Sequence, residues 1–141
     1  HIIFVTPQGY RGEGVFDNFW SLVEKWKASF ITIVPTAAAE LMQRPINADV
    51  SSLKYALCGS APLPQDLFKK FEASTGIKII EGYGMTEATC LVSGNPVDGG
   101  IRKIGSVGIP FPYTKVKIAK EGSDLKKIKK CKVKVQVQQV G

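Results

Sequence analysis

The chain has 141 residues, 44% hydrophobic and 22% charged, with a net charge of +7 at pH 7. That is enough to bury a core without disulfide staples, and the composition excludes disordered, collagenous and disulfide-rich classes. No apolar run approaches the roughly 20 residues of a membrane span, and three scattered cysteines with one histidine exclude a zinc-type cluster.

Ile2–Val5 reads as a short apolar strand. It has no basic n-region, long apolar stretch or cleavage site, so no signal peptide is read there. A chain that opens on His1 reads as an excerpt. Thr6–Gly14 is loop. Val15, Phe16, Phe19, Trp20, Leu22, Val23 and Trp26 fall at helical spacing and predict an amphipathic helix over 15–27. Asp17 near its start and Lys25 and Lys27 near its end suit the helix dipole. Both tryptophans lie on the apolar stripe and are expected in the core. Ile31–Val34 predicts a buried strand stopped by Pro35. Thr36 is the expected cap of a helix reaching about Gln43.

Tyr55–Cys58 predicts the next strand, leading into the turn Gly59-Ser60-Ala61-Pro62. Pro64 stands where helix position N1 belongs. Leu67, Phe68, Phe71 and Ala73 mark one apolar face, and Gly76 the stop. Ile77–Ile80 is a further strand. This β-α-β alternation with short links predicts an α/β domain on a mainly parallel sheet with flanking helices. Ligands in such sheets sit off the carboxyl ends of strands. Two loops are expected there, Gly59–Pro62 and Glu81–Thr89.

After Thr89 the texture changes. Cys90–Ser93, Val116–Ala119 and Val133–Val137 read as strands, and Asn95–Gly108 as a Gly- and Pro-rich connection. We divide the chain into an α/β unit over 1–89 and a β-rich unit over 90–141. The basic charge is local: residues 115–134 carry nine lysines against Glu121 and Asp124, and the remainder is balanced. Such a run reads as the solvated face of a hairpin. It leaves peripheral contact with a membrane open and does not support nucleic-acid binding. Cys58, Cys90 and Cys131 form no CxxC pair. They read as reduced thiols of a cytoplasmic protein, with Cys58 and Cys90 expected to be buried and inert.

Glu81-Gly82-Tyr83-Gly84-Met85-Thr86-Glu87 is the stretch richest in chemistry. Its glycines let backbone approach a flat ligand. Tyr83 offers a stacking face, Thr86 a hydroxyl, and Glu87 a carboxylate for a hard cation. On composition alone, a tight turn with solvated polar residues accounts for it somewhat better.

The whole string EGYGMTEAT resembles the signature of the adenylate-forming superfamily, which includes acyl-CoA synthetases, peptide-synthetase adenylation domains and luciferases. The likeness extends to three further segments in the right order. Val34-Pro35-Thr36 resembles the VPT segment. Ser51-Ser52-Leu53-Lys54-Tyr55 and the CGSAPLP after it resemble SSLRY…GGAPLP. Arg102–Pro110, RKIGSVGIP, resembles RxGSVGxP. The resemblance is nearest to fatty-acyl and related carboxylate:CoA ligases, and it implies an acid–thiol ligase using ATP, Mg2+ and coenzyme A on a small-molecule carboxylic acid.

It also implies roles. Gly59, Ser60, Ala61 and Pro62 would wall the adenine. Glu81 and Gly82 would meet its edge, and Tyr83 would stack on it. Thr86 would contact the α-phosphate, and Glu87 would hold magnesium, making these two the catalytic pair. Gly84 and Met85, with Pro35 and Cys58, would face the acyl group. The family's SSGTTGxPK phosphate loop, its TGD aspartate and its C-terminal lysine have no counterpart here. The chain is therefore expected to hold one side of the site and to be inactive alone. Two competing readings remain: an acyl-AMP ligase serving a carrier protein, and a non-catalytic α/β module whose basic arm contacts an anionic partner.

Overall fold

The computed structural model describes residues 1–118 and 135–139. Its centre is a five-stranded sheet. The strands are β1 (Phe30–Ile33), β2 (Tyr55–Cys58), β3 (Lys78–Met85), β4 (Cys90–Gly94) and β5 (Ile109–Pro110), adjacent in chain order. β1, β2 and β3 run parallel, in a register that sets Ile33 beside Cys58 and Cys58 beside Glu81. β4 pairs antiparallel with β3, and β5 antiparallel with β4. The expected α/β domain is therefore present, with a parallel core extended on one side by antiparallel strands. At 89/90, where we divided the chain, the polypeptide stays in the same sheet. Beyond it lies a separate antiparallel pair, β6 (Thr114–Ile118) with β7 (Val135–Gln139).

Helix α1 (Val15–Trp26) leads into β1, and two further helices, α2 (Pro35–Leu41) and α3 (Gln65–Thr75), connect the parallel strands. α1 buries Val15, Phe19, Trp20 and Val23, which recur at the 3.6-residue period. The Phe19 and Trp20 rings meet edge-on at 5.3 Å. α3 buries Phe68 and Phe71 and ends at Gly76, whose φ of 70° is the left-handed cap that glycine adopts at little cost. Phe19, Trp20, Val23, Phe68 and Phe71 form one core with Ile33, Leu41, Ala56, Ile77 and Ile79. Full burial of each large side chain contributes about 1.5–3 kcal/mol.

Several expectations change. Ile2–Val5 forms no strand: Ile2 and Phe4 are exposed and find no sheet edge to pair with. Thr36 is not the cap of α2. Val34 takes that place and Pro35 occupies the first turn, where its missing N–H costs nothing. Pro64 caps α3 from outside rather than opening it. Trp26 lies half exposed on the last turn of α1, with Lys25 Nζ above its ring, so only Trp20 is core. Cys58 is buried as expected, but Cys90 is exposed. Ala119, Val133, Cys131 and most of the lysine run lie outside the described residues.

The largest correction concerns 81–85, expected as loop but forming the second half of β3. The glycines serve close strand approach here rather than a turn. A Cβ on Gly84 would lie 2.9 Å from the Cys90 carbonyl carbon, and one on Gly82 3.3 Å from the Ser93 oxygen. The ladder shifts register between Tyr83 and Gly84, a bulge-like irregularity of the kind that re-aims side chains.

Candidate active site

A cavity of about 330 Å³ opens at the carboxyl end of the parallel strands. Three segments line it: Cys58 with the turn Ser60–Leu63, the strand residues Glu81–Gly84, and Gly105–Val107. The first two are the segments singled out from sequence. They meet because β2 and β3 are parallel neighbours, so the turn after Cys58 lies beside the residues after Glu81. The backbones are close. The Gly59 N–H donates to the Ile33 carbonyl at 3.4 Å, and a Cβ on Gly59 would lie 3.4 Å from the Gly82 oxygen. Ser60 holds a left-handed φ of 68° in this turn. That conformation costs a non-glycine residue roughly 1–2 kcal/mol and is often found at functional sites.

Glu81 is a buried carboxylate on the cavity wall. Its Oε2 accepts the Gly105 N–H at 2.8 Å. Its carbonyl accepts both the backbone N–H of Asn95, at 3.0 Å, and the Asn95 side-chain amide, at 3.1 Å. The Asn95 amide also donates to the Ser106 carbonyl and accepts from the Lys103 N–H at 2.9 Å. Upstream, Arg102 forks onto the Glu72 carboxylate, donates to the Ile79 carbonyl at 2.8 Å and stacks 5.2 Å from the Phe68 ring. These bonds bring Gly105–Val107 across the sheet to form the third wall. Neither Asn95 nor this wall is assigned a role by the sequence alone. The RKIGSVGIP segment was the available signal, but nothing local shows where it folds.

Burial first, and the neighbouring Glu81 charge second, push the Cys58 thiol up to about 11. It stays neutral at pH 7 and is no nucleophile there. It contributes apolar wall. Tyr83 is half buried, at the register shift. Thr86 and Glu87 do not line the cavity. They lie exposed on a one-turn 3-10 helix (Thr86–Ala88), two and three residues past the lining residue Gly84. Met85 ends β3, and Pro35 starts α2 just beyond the same end of β1; neither lines the cavity.

Among the described residues no group of three or more His, Cys, Asp or Glu is placed to hold a metal. Glu87 offers one exposed carboxylate, which by itself makes no resident metal cage. No described helix is long and apolar enough to cross a membrane.

A parallel sheet with a cleft at its carboxyl edge, walled by small residues, a tyrosine and a buried carboxylate, defines an α/β protein with a pocket where such sheets take their ligands. The chain belongs to the AMP-binding enzyme family, whose model matches residues 5–130. It is 39% identical over 131 residues to the marinolic acid–CoA ligase of Pseudoalteromonas sp. (strain SANK 73390), covering 92% of this chain and 20% of that protein. It is 38% identical over 102 residues to a long-chain-fatty-acid–CoA ligase of Bacillus subtilis (strain 168), covering 71% and 18%. The solved anthranilate CoA ligase AuaEII, in complex with anthranoyl-AMP, superposes with a TM-score of 0.66 at 27% identity, covering 80% of this chain and 22% of that one. The chain thus spans about a fifth of the length of the relatives it matches.

Proposed function

We propose that this chain forms the adenine and acyl side of the active site of an ATP-dependent acyl-CoA synthetase acting on a hydrophobic, fatty-type carboxylate. The observation that carries this reading is the convergence of Ser60–Leu63, Glu81–Gly84 and Gly105–Val107 on one cavity. The names of the CoA-ligase relatives support the class. The anthranoyl-AMP bound by one solved relative supports an acyl-adenylate intermediate.

A carboxylate is a poor electrophile. Attack of its oxygen on the α-phosphate of ATP expels pyrophosphate and gives acyl-AMP. The CoA thiol then attacks the acyl carbon and AMP leaves, giving the thioester. In this scheme Gly59, Ser60, Ala61 and Pro62 flank the adenine, with small side chains that leave room for the base. Glu81 and Gly82 meet its edge, and Tyr83 stacks on its face, a contact worth about 1–3 kcal/mol per base. Cys58, Gly84, Met85 and Pro35 border the acyl group. Thr86 donates to the α-phosphate, and Glu87 holds Mg2+. The metal, when bound, neutralises phosphate charge. The exposed Cys90 thiol suits a reducing compartment, and we place the reaction in the cytoplasm.

The test is carboxylate-dependent ATP–pyrophosphate exchange by the intact protein. Thr86→Ala and Glu87→Ala should each lower the exchange rate by about 10²–10³, the usual loss for one electrostatic contact to a transition state. Exchange at the unmodified rate in both variants refutes the assignment.

A further inference from the structure

We infer that Asn95 is a positioning residue for the cavity: its buried amide holds the Gly105–Val107 wall against the Glu81 end of β3 and thereby sets how tightly a nucleotide is gripped. This rests on the reading of the cavity as a nucleotide pocket. Asn95 is only 6% exposed and is not among the lining residues, so it acts through its neighbours.

One carboxamide serves three backbone groups there. It donates to the Glu81 and Ser106 carbonyls and accepts from the Lys103 N–H. A carboxamide can do this because it carries two donors and an acceptor on one short stem. An aspartate of the same shape would set one oxygen, in place of the donating nitrogen, against both the Glu81 and Ser106 carbonyls.

The wall has few other ties to the sheet. Arg102 anchors the segment on the far side, at Glu72 and Ile79. Gly108 fixes it downstream, where backbone packs too tightly against Gly94 and Asn95 to admit a Cβ. Between those anchors, among the described residues, the wall is tied to the sheet by Asn95 and by the Glu81 carboxylate on the Gly105 N–H. Two of the three cavity walls thus meet at the buried Asn95 side chain, with the Glu81 carboxylate as the second tie.

Amide hydrogen exchange of the intact protein, with and without AMP, tests this alongside steady-state kinetics. In the unmodified protein AMP should slow exchange at both 81–84 and 103–107. In Asn95→Asp the protection at 81–84 should persist and that at 103–107 should vanish. The KM for ATP should rise about tenfold with little change in kcat, as expected when a buried group loses its hydrogen-bond partners. Should that variant fail to fold, Asn95→Ser, which keeps one donor, is measured the same way and should show an intermediate rise. A folded variant with an unchanged ATP KM overturns the inference. So does AMP protection confined to 81–84 in the unmodified protein, which leaves the nucleotide reading standing. Absence of AMP protection at both segments removes that reading, and the inference with it.

Discussion

Replacing Gly84 by alanine tests the fold of the site at its tightest point. The added methyl would lie 2.9 Å from the carbonyl carbon of Cys90 and 3.3 Å from Leu91 Cα, and closer still to the Cys90 oxygen. Carbon atoms rest at about 3.5–4.0 Å from one another, so the deficit is several tenths of an ångström or more. All three neighbours belong to backbone or its Cα, and no side chain can rotate aside. The β3–β4 ladder must therefore open where Gly84 faces Leu91 and Met85 faces Cys90. Overpacking costs about 1–3 kcal/mol, and each ladder bond lost adds about 1 kcal/mol, so the expected destabilisation is about 2–4 kcal/mol. The assay is denaturant unfolding of the intact protein, with hydrogen exchange at 82–85 and 90–94 as the local readout. The displaced bulge should also weaken AMP binding through Tyr83. A Gly84→Ala protein with an unchanged unfolding midpoint and full protection across both strands would refute the close-approach reasoning.

Two further outcomes are expected. Ser60→Gly relieves the left-handed φ of 68° and should raise stability by about 1 kcal/mol, read as a higher denaturant midpoint. Cys58 gives a pH signature. Its thiol is held at about 11 in the fold against an ordinary value of 9.0, so the folded state retains a proton that the unfolded chain releases. The stabilisation from the neutral thiol is complete below pH 9 and disappears as pH rises towards 11. Tyr10, pushed up to about 12 by burial first and Cys58 second, acts in the same direction at higher pH. Cys58→Ala should flatten the fall in stability between pH 9 and 10. An unaltered pH profile in that variant would count against this account.

The parallel core was legible because its information is local. Helical spacing in α1, the stop at Gly76 and the apolar runs at 31–34 and 55–58 each act within a few residues, and the strands form within one residue of those runs. Gly82-Tyr83-Gly84 falls in an expected loop, since glycines directly after a buried strand suit a change of backbone direction. Its function here depends on Cys90 and Ser93, which arrive from β4 after the chain reverses. Asn95 escaped notice for a similar reason: a lone asparagine before proline looks like a loop residue until the Lys103–Ser106 backbone folds over it. Trp26 misled in the opposite way. Its spacing matched the stripe, but the last turn of α1 extends past the core, and the indole lies at the surface. Of the residues expected at the site, Ser60, Ala61, Pro62, Cys58, Glu81, Gly82, Tyr83 and Gly84 meet around one cavity. The third wall needed tertiary information.

β3 is hydrogen-bonded in two different ways, parallel to β2 on one flank and antiparallel to β4 on the other. A one-residue slip would invert its side chains, turning Glu81 away from Gly105 and leaving β2 and β4 mismatched together. No partly correct register can offer a half-built berth. Assembly of the pocket is therefore an all-or-nothing property of a single strand, and an error in its alignment is penalised on both flanks before any ligand is encountered.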